Sequence, residues 1–308
     1  MPGRTASGKP VIRIIGSALN NPGVRPDYLV PCGQCMSCRL ERSRVWACRI
    51  MQESKFHERC CFLTLTYSDD ELPLNRSLDK SHLRSFFKDL RGRLDYYCNG
   101  RIRYFGVGEY AEEKEGDEES GRPHYHAIVF GEDFREEMAA RGRTKYYRNE
   151  EEPSRSGHPQ WSHGVIEDVW PRGLHRVSEL SFESAAYVAR YALKKITGAP
   201  QVDHYGDRTL EFQSISNGIG RSWFEAYSSD AYPSDKVVLP GRGEFMPPRY
   251  YDRLLEKVDP FLLKFVKDRR LLERDVLTAD STRKVVYDDS VKEELVRLTV
   301  KNCLIRSM

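Results

Sequence analysis

The feature that most constrains this chain is the segment 123–130, whose side chains alternate as they do in a β-strand. One face of that strand would carry His124, His126, Ile128 and Phe130. Two imidazoles that are two residues apart on one strand face can hold a single cation. Taken alone, the pattern fits equally well a pair of core histidines that form hydrogen bonds. The segment therefore predicts a sheet and marks one face of it as a candidate metal site.

A carboxylate on the preceding predicted strand strengthens the metal hypothesis. In the segment 101–110, Glu109 shares a face with Phe105 and Val107. If this strand pairs with 123–130, Glu109 lies beside the two histidines. Two neutral imidazoles and one carboxylate suit Mg²⁺, Mn²⁺ or another divalent ion with open coordination positions. Such an ion polarises a phosphate and orients it for in-line attack.

A pair of tyrosines supplies a candidate nucleophile. The segment 181–196 is predicted as a helix, on which Tyr187 and Tyr191 project from one face at i and i+4. A phenol has a pKa near 10 and needs a cation or a base to attack. Arg190 and Lys194 flank the pair and can lower that pKa or stabilise developing charge. An aromatic pair that fills core space is the alternative; together with the metal ligands, the pattern favours phosphodiester chemistry through a tyrosyl ester.

The order of the predicted elements indicates the fold class. Strands are predicted at 61–67, 101–110, 123–130, 165–169 and 174–180, and helices at 79–94 and 181–196. This order predicts an α+β fold with a central antiparallel sheet and helices packed on one face. We expect an N-terminal arm, Cys-rich segment and basic helix at 1–57, a nuclease core at 58–197, and a partly helical extension at 198–308 with a helical run at 248–270.

Composition limits the compartment and the function class. Charged residues make up 31% of the 308 residues, and the mean hydropathy is −0.63. We found no stretch near the roughly 20 apolar residues of a membrane span, and the first ten residues lack the apolar segment of a signal peptide. We therefore expect a cytosolic protein without membrane contact. The net charge of +3 is too mild to indicate nucleic-acid binding, but basic residues cluster at 39–49 and 190–195.

Three cysteines form a Cys-x₂-Cys-x₂-Cys run at Cys32, Cys35 and Cys38. In a reducing compartment, such spacing indicates free thiols or a metal site. Structural zinc usually takes four ligands, so a fourth would have to come from a helix that folds back. The candidates for that ligand are Cys48, Cys60 and Cys61. Three reduced thiols packed under the sheet are an equally good interpretation.

A glycine turn at 218–220 is followed by Arg221 and the aromatic residues Trp223, Phe224 and Tyr227. Single-stranded nucleic acids bind to aromatic platforms flanked by basic residues, although an aromatic cluster of this kind is also typical of a simple core. The sequence shows no Gly-x₄-Gly-Lys-[Ser/Thr] motif, so any unwinding would require a separate helicase.

Several motifs resemble those of HUH endonucleases. They are Phe62-Leu-Thr-Leu-Thr66, Gly108-Glu-Tyr110, Gly121-Arg-Pro-His-Tyr-His126 and Tyr187-Val-Ala-Arg-Tyr191-Ala-Leu-Lys-Lys195. More narrowly, the chain resembles the replication initiators of gokushovirus-type microviruses, a likeness that also covers the segments 31–39 and 248–253. The resemblance implies a rolling-circle nickase that attaches covalently to a 5′ phosphate of single-stranded DNA at a viral origin. It further implies work beside host helicase and polymerase in the host bacterial cytoplasm.

The resemblance also implies roles for single residues. Glu109, His124 and His126 would be the metal ligands, Tyr187 and Tyr191 the nucleophiles, and Lys194 a helper that faces the phosphate. The basic residues expected to contact DNA are Arg39, Arg42, Arg190, Lys195 and Arg221.

The acidic connection at 111–120 is longer than the family usually has. Glu112 or Glu113 could therefore replace Glu109 as a ligand, although we favour a solvated hairpin tip. A transposase or relaxase with the same metal and phenol is a rival hypothesis. A non-catalytic nucleic-acid-binding protein, in which structural zinc is held by the histidines, is another.

Overall fold

The computed structural model describes residues 36–98, 101–111, 121–136, 138–139, 145–146, 148–154, 157–189, 205–239 and 243–280. In this part of the chain, the helices are α1 (Met36–Ser54), α2 (Lys80–Cys98), α3 (Gly164–Val169), α4 (Phe182–Ala189), α5 (Arg221–Ala231), α6 (Arg249–Val258) and α7 (Pro260–Asp280). The strands are β1 (Cys60–Thr66), β2 (Arg103–Tyr110), β3 (Pro123–Phe130), β4 (Met138–Ala139), β5 (Lys145–Tyr146), β6 (Arg148–Glu151), β7 (Gln160–His163), β8 (His175–Glu179), β9 (Phe212–Ile215), β10 (Val237–Leu239) and β11 (Gly243–Phe245).

A seven-stranded sheet organises these elements, with strand order β6-β7-β8-β1-β3-β2-β9. Every pairing in this sheet is antiparallel. The strand predicted at 123–130 is β3, and it lies between β1 and β2 near the middle of the sheet. The predicted α+β class with a central antiparallel sheet is therefore confirmed.

Helices cover both faces of the sheet, whereas we predicted them on one face. One face packs against α2 and α3; its buried side chains include Leu63, Leu83, Ala127 and Ile166. The other face packs against α1 and α4; its buried side chains include Ile50, Phe105, Ile128 and Val188. The central strands are apolar on both faces, so each face needs a cover to bury that surface. The prediction missed this because it placed the two helices of the core segment, α2 and α4, on the same face, whereas they pack on opposite faces.

Two further predictions about elements need correction. The segment predicted as a strand at 165–169 is the short helix α3, which begins after His163, whose ring nitrogen Nδ1 accepts the backbone N–H of Val165 at 3.3 Å. The helical run predicted at 248–270 is two helices, α6 and α7, because Asp259 adopts a non-helical conformation between them. The helix predicted at 181–196 is described from Phe182 to Ala189 as α4.

The residues after β8 contribute to two cores. Strand β9 joins the edge of the main sheet by pairing with β2. Helices α5, α6 and α7 form a second apolar cluster with β10; Trp223, Phe224, Tyr251, Leu255 and Val266 are among its buried members. The division of the chain at residues 57 and 197 stays a prediction.

A buried carboxylate, Glu53, fastens α1 to the turn that precedes α5. It accepts hydrogen bonds from the backbone N–H of Gly220 at 2.7 Å and from the Arg103 guanidinium, and it pairs with His57 at 3.2 Å. Nearby, Arg49 donates two hydrogen bonds to the carbonyl of Ile219. These contacts hold α1 against the sheet face that carries the candidate site. Among the described residues, no helix is both long and apolar enough to cross a membrane.

Candidate metal and tyrosine site

The pairing of β2 with β3 places the three predicted ligands side by side. Glu109 lies directly opposite His124 in the register, and His126 is two residues further along the same face. The Nε2 atoms of His124 and His126 lie 3.1 and 3.2 Å from the same carboxylate oxygen, Oε1 of Glu109. The potential ligand atoms of the three residues all lie within 4.8 Å of one another, a spacing that could hold one metal ion.

Among the described residues, Glu109 is the glutamate that lies beside the two histidines. Glu109 is on the ligand face of β2 and only 3% exposed. Glu112 and Glu113, the alternatives from the acidic connection, lie outside the described residues. The donor set of two imidazoles and one carboxylate fits a divalent ion such as Mg²⁺ or Mn²⁺.

Both histidines form a hydrogen bond through Nδ1, the ring nitrogen that faces away from Glu109. Nδ1 of His124 lies 3.2 Å from the backbone carbonyl oxygen of Arg122, and Nδ1 of His126 lies 2.9 Å from the hydroxyl of Thr64 on β1. The ring of Phe62 stacks on that of His126 at 5.3 Å between centroids and 18° between planes. Hydrogen bonds to the distal ring nitrogen orient a histidine ligand, so both Nε2 atoms face the carboxylate.

The hydroxyl of Tyr187 reaches the same carboxylate. It donates a hydrogen bond to Oε1 of Glu109 at 2.9 Å, and it lies 3.5 Å from Nε2 of His126. Helix α4 makes this contact possible because its apolar residues Ala185 and Val188 pack on the sheet. A phenol therefore lies within hydrogen-bonding distance of the group that could hold the metal.

Electrostatics keep the Glu109 carboxylate ionised. Burial raises its pKa, but hydrogen bonds from His124 and His126, together with their charge, outweigh burial and hold the pKa well below its ordinary value. Tyr187 donates a further hydrogen bond to the same oxygen. An ionised, acceptor-rich carboxylate in a nearly dry site is the form that binds a cation.

Several predicted site residues lie outside the described part of the chain. They are Arg190, Tyr191, Lys194, Lys195, Cys32 and Cys35. Their roles stay predictions.

The basic residues that the structure describes occupy different settings. Arg221 is exposed at the start of α5 and donates to the Glu225 carboxylate at 2.7 Å. Arg42 is exposed on α1, whereas Arg39 is half-buried, and burial lowers the pKa of its guanidinium. Of these three, only Arg42 and Arg221 are exposed, as a contact with DNA would favour, and all three DNA roles stay predictions.

The structure limits how a cysteine metal site could be completed. Helix α1 runs unbroken from Met36 to Ser54 and does not fold back, so Cys48 lies roughly 15 Å along the helix from Cys38. Burial raises the pKa of the Cys48 thiol to about 12 and that of Cys60 to about 11. Cys61 is buried in the main core. Cys32 and Cys35 lie outside the described residues, so zinc at the cysteine run and its fourth ligand stay predictions.

The aromatic residues after the glycine turn are largely core. Trp223 and Phe224 are buried in the second apolar cluster, where both rings lie against Tyr251. Tyr227 is 43% exposed. The core interpretation therefore accounts for two of the three rings.

Three contributors to the site were missed at the level of sequence: Thr64, Phe62 and the carbonyl of Arg122. A signal for the first two was present, because Phe62 and Thr64 alternate with the buried leucines of β1 and so share the face on which His126 lies. The backbone carbonyl of Arg122 has no sequence signal, since any residue supplies one.

An antiparallel α+β sheet with a histidine pair, a glutamate and a helix-borne tyrosine on one face is consistent with the HUH endonuclease-like class of fold. Comparison with known proteins adds the family. The family model described as replication-associated protein ORF2/G2P matches residues 60–196. A comparison with solved structures gives no significant match.

Three curated proteins are similar to this chain. Replication-associated protein ORF2 of Spiroplasma virus 4 is 30% identical over 285 residues, which cover 85% of this chain and 82% of that protein. Replication-associated protein VP4 of Bdellovibrio phage phiMH2K is 31% identical over 237 residues, or 76% and 69% of the two chains. Replication-associated protein ORF4 of Chlamydia phage 1 is 32% identical over 235 residues, or 75% and 54%. The chain therefore belongs to the family of replication-associated proteins of gokushovirus-type microviruses.

Proposed function

We propose that this protein initiates rolling-circle replication by nicking and rejoining single-stranded DNA at a viral origin. One observation carries the proposal: the Tyr187 hydroxyl lies 2.9 Å from the Glu109 carboxylate and 3.5 Å from Nε2 of His126. A phenol within a few ångströms of a candidate metal group is the arrangement that attack on a metal-bound phosphate requires. The names of the relatives, all replication-associated, support the biological setting.

The chemistry divides among the residues of this face. A divalent ion held by Glu109, His124 and His126 would polarise a phosphodiester and neutralise its charge. The phenol of Tyr187 gives its proton to solvent water, and its oxygen forms a bond to phosphorus. The bond from phosphorus to the 3′ oxygen breaks, and that oxygen takes up a proton from solvent and leaves as a hydroxyl, so the proton count balances. The product is a 5′-phosphotyrosine, which conserves the energy of the broken ester for rejoining.

Two tyrosines suit the end of a replication round. Synthesis must finish by cutting a new junction while the first 5′ end is still held, and one phenol cannot hold one end and attack another. We propose that Tyr187 and Tyr191 alternate as nucleophiles, with Lys194 and Arg190 stabilising charge on the phosphate. The support for the second tyrosine and for the two basic residues is their position in the sequence, three to seven residues after Tyr187.

Adduct formation with a labelled origin oligonucleotide and Mn²⁺ tests the role of the tyrosines. Tyr187→Phe and Tyr191→Phe should each lose strand transfer, although one of them can keep single nicking, and the double variant should form no adduct. Tyr104→Phe is a matched control, because this tyrosine lies on β2 but belongs to the core on the opposite face of the sheet. If one single variant closes circles through repeated rounds at the wild-type rate, the other tyrosine is structural.

Variants of the ligands test the metal group separately. His124→Ala and His126→Ala should each abolish cleavage with the fold largely kept, and Glu109→Ala should raise the Mn²⁺ concentration needed for cleavage. If Glu112→Ala has that effect and Glu109→Ala does not, the ligand assignment is wrong. If the wild-type protein forms no adduct with any divalent ion, the non-catalytic hypothesis, with structural zinc on the histidines, replaces the proposal.

The proposed partners follow from the chemistry. Single-stranded origin DNA is the substrate, and host helicase and polymerase would supply unwinding and synthesis, since the sequence carries no phosphate-binding loop of the Gly-x₄-Gly-Lys-[Ser/Thr] type. The work would take place in the host bacterial cytoplasm. Mass spectrometry of the tryptic peptide that carries the nucleotide would identify the attacking tyrosine and the origin sequence together.

A further inference from the structure

The two histidines of the site are supported by chemically different partners. His124 is held by a backbone carbonyl, that of Arg122, at 3.2 Å from Nδ1. His126 is held by a side-chain hydroxyl, that of Thr64, at 2.9 Å from Nδ1. A carbonyl oxygen only accepts hydrogen bonds, whereas a hydroxyl can both donate and accept. The carbonyl therefore requires a proton on Nδ1 of its histidine, whereas the hydroxyl can pair with Nδ1 whether or not that atom carries a proton.

We propose that Thr64 is a positioning residue that presents Nε2 of His126 to the metal. Thr64 lies directly opposite His126 in the pairing of β1 with β3. Two residues of β1 contact the ring of His126: the ring of Phe62 stacks on it, and the Thr64 hydroxyl forms a hydrogen bond with Nδ1. These two contacts fix the rotation of the ring, which leaves Nε2 directed at the Glu109 carboxylate at 3.2 Å.

The hydroxyl matters because it can pair with Nδ1 of His126 whether or not that atom carries a proton. Without an ion, Nε2 of His126 lies 3.2 Å from the Glu109 carboxylate, and the Thr64 hydroxyl pairs with Nδ1. A metal needs the lone pair of Nε2, so Nδ1 must carry the proton, and Thr64 can then accept it. Thr64 thus holds the ring in one orientation in both forms. The inference depends on the proposed metal group, and it concerns affinity for the ion before any DNA is bound.

Three variants of β1 test the inference in the full-length protein. Thr64→Val keeps the shape of the side chain and removes the hydroxyl, so the affinity for Mn²⁺, measured by electron paramagnetic resonance titration without DNA, should fall by about 10- to 100-fold. Thr64→Ser should restore most of the affinity. Thr66→Val is the matched control: it removes a hydroxyl from the same strand face, but that hydroxyl donates to the carbonyl of Leu174 at 3.3 Å. Its Mn²⁺ affinity should not change.

A nitrogen NMR spectrum of the wild-type histidines tests the inference without a variant. With Mg²⁺ added, His126 should show a protonated Nδ1 and an unprotonated Nε2; a metal bond at Nδ1 would overturn the inference. Wild-type Mn²⁺ affinity in Thr64→Val, with thermal unfolding that matches the control, would also overturn it while leaving the proposed function intact. If the wild-type protein itself binds no Mn²⁺, both the inference and the proposed function fail.

Discussion

Replacing Gly108 by alanine should destabilise the sheet next to the candidate site. Gly108 precedes Glu109 on β2 and is paired with Phe212 on β9. A Cβ atom added at this position would lie 2.8 Å from Cε1 of the Phe212 ring and 3.0 Å from Cδ2 of Leu78. Gly108 is not among the glycines with positive φ. The position therefore needs glycine for space and not for backbone conformation.

The magnitude follows from two opposing terms. Forcing a methyl group into a packed core costs about 1–3 kcal/mol, because the ring of Phe212 must shift against its neighbours. Replacing glycine by alanine at an unstrained backbone position returns about 0.4–1 kcal/mol, since the unfolded chain loses freedom. We therefore expect a net loss of about 1–2 kcal/mol in the free energy of unfolding for Gly108→Ala.

Two other glycines provide internal controls. At Gly106, also on β2, the nearest atom to an added Cβ is Cδ2 of Leu83 at 3.3 Å, so Gly106→Ala should be close to neutral. At Gly92, inside α2, nothing lies within 4 Å, and Gly92→Ala should stabilise the protein by about 1 kcal/mol. From the most to the least stable, the predicted order is therefore Gly92→Ala, wild type, Gly106→Ala and Gly108→Ala.

Urea unfolding of the three variants measures these differences. Phe212→Leu combined with Gly108→Ala should recover part of the loss, because the smaller side chain removes the close contact, and the double-mutant cycle isolates that interaction. The Mn²⁺ affinity of Gly108→Ala should also fall, since Glu109 moves with the strand. If Gly108→Ala unfolds at the same urea concentration as Gly106→Ala, the steric argument is refuted.

Three further predictions concern stability and metal content. Glu53→Gln should cost about 3 kcal/mol in urea unfolding, because it leaves buried donors without a charged acceptor. Burial raises the pKa of Glu53, but hydrogen bonds from His57 and Gly220 hold that pKa below its ordinary value of 4.5. The stabilisation by the Glu53 carboxylate is therefore complete above pH 4.5 and is lost as the pH falls through the lower folded-state pKa. The free energies of unfolding of wild type and variant should accordingly converge in acid. Arg270→Met should lower the free energy of unfolding by about 3 kcal/mol, since the guanidinium bridges Asp235 and Asp252 at 2.6 and 2.8 Å. Lys236→Met breaks an exposed pair with Glu244 and should cost less than about 1 kcal/mol in the same assay. Elemental analysis should find about one zinc per chain, unaffected by the histidine variants, because thiolates of the cysteine run favour zinc over magnesium; freshly purified protein without zinc would exclude that site.

The sequence predicts the centre of the fold better than its edges. β3 was predicted with its observed bounds, and the strand β1 to within one residue. In β1 every second side chain is buried, and in β3 nearly all of them are. The strands β6, β7 and β9, at or next to the edges of the sheet, have four residues each and were not predicted, since so short a stretch shows little periodicity. Val165 and Val169 suggested a strand because their spacing also fits a period of two. The hydrogen bond that the backbone N–H of Val165 donates to the His163 ring at the start of α3 could not be predicted from the spacing of apolar residues.

In the site, too, the residues fixed by strand periodicity were predicted, whereas the contacts that depend on tertiary packing were not. Glu109 was predicted beside the histidines because shared strand faces and a pairing partner determine its position. Thr64 was not assigned a role, because whether a threonine supports a ligand or faces solvent depends on the register of β1 with β3, which only the folded sheet specifies. The contact of Tyr187 with Glu109 depends on how α4 crosses the sheet, and a helical pattern contains no information about that placement.

The order in which parts of the site meet along the chain has a consequence for folding. Glu109 and His124 are 15 residues apart and belong to adjacent strands, whereas the contacts of His126 with Thr64 and of Tyr187 with Glu109 span 62 and 78 residues. Local contacts form first because they close the shortest loops. During synthesis, the β2–β3 hairpin, which carries all three candidate ligands, leaves the ribosome before α4. A nascent chain at that stage has no Tyr187 hydroxyl beside these three side chains, so the proposed cleavage of DNA would be confined to molecules in which the sheet and α4 have already assembled.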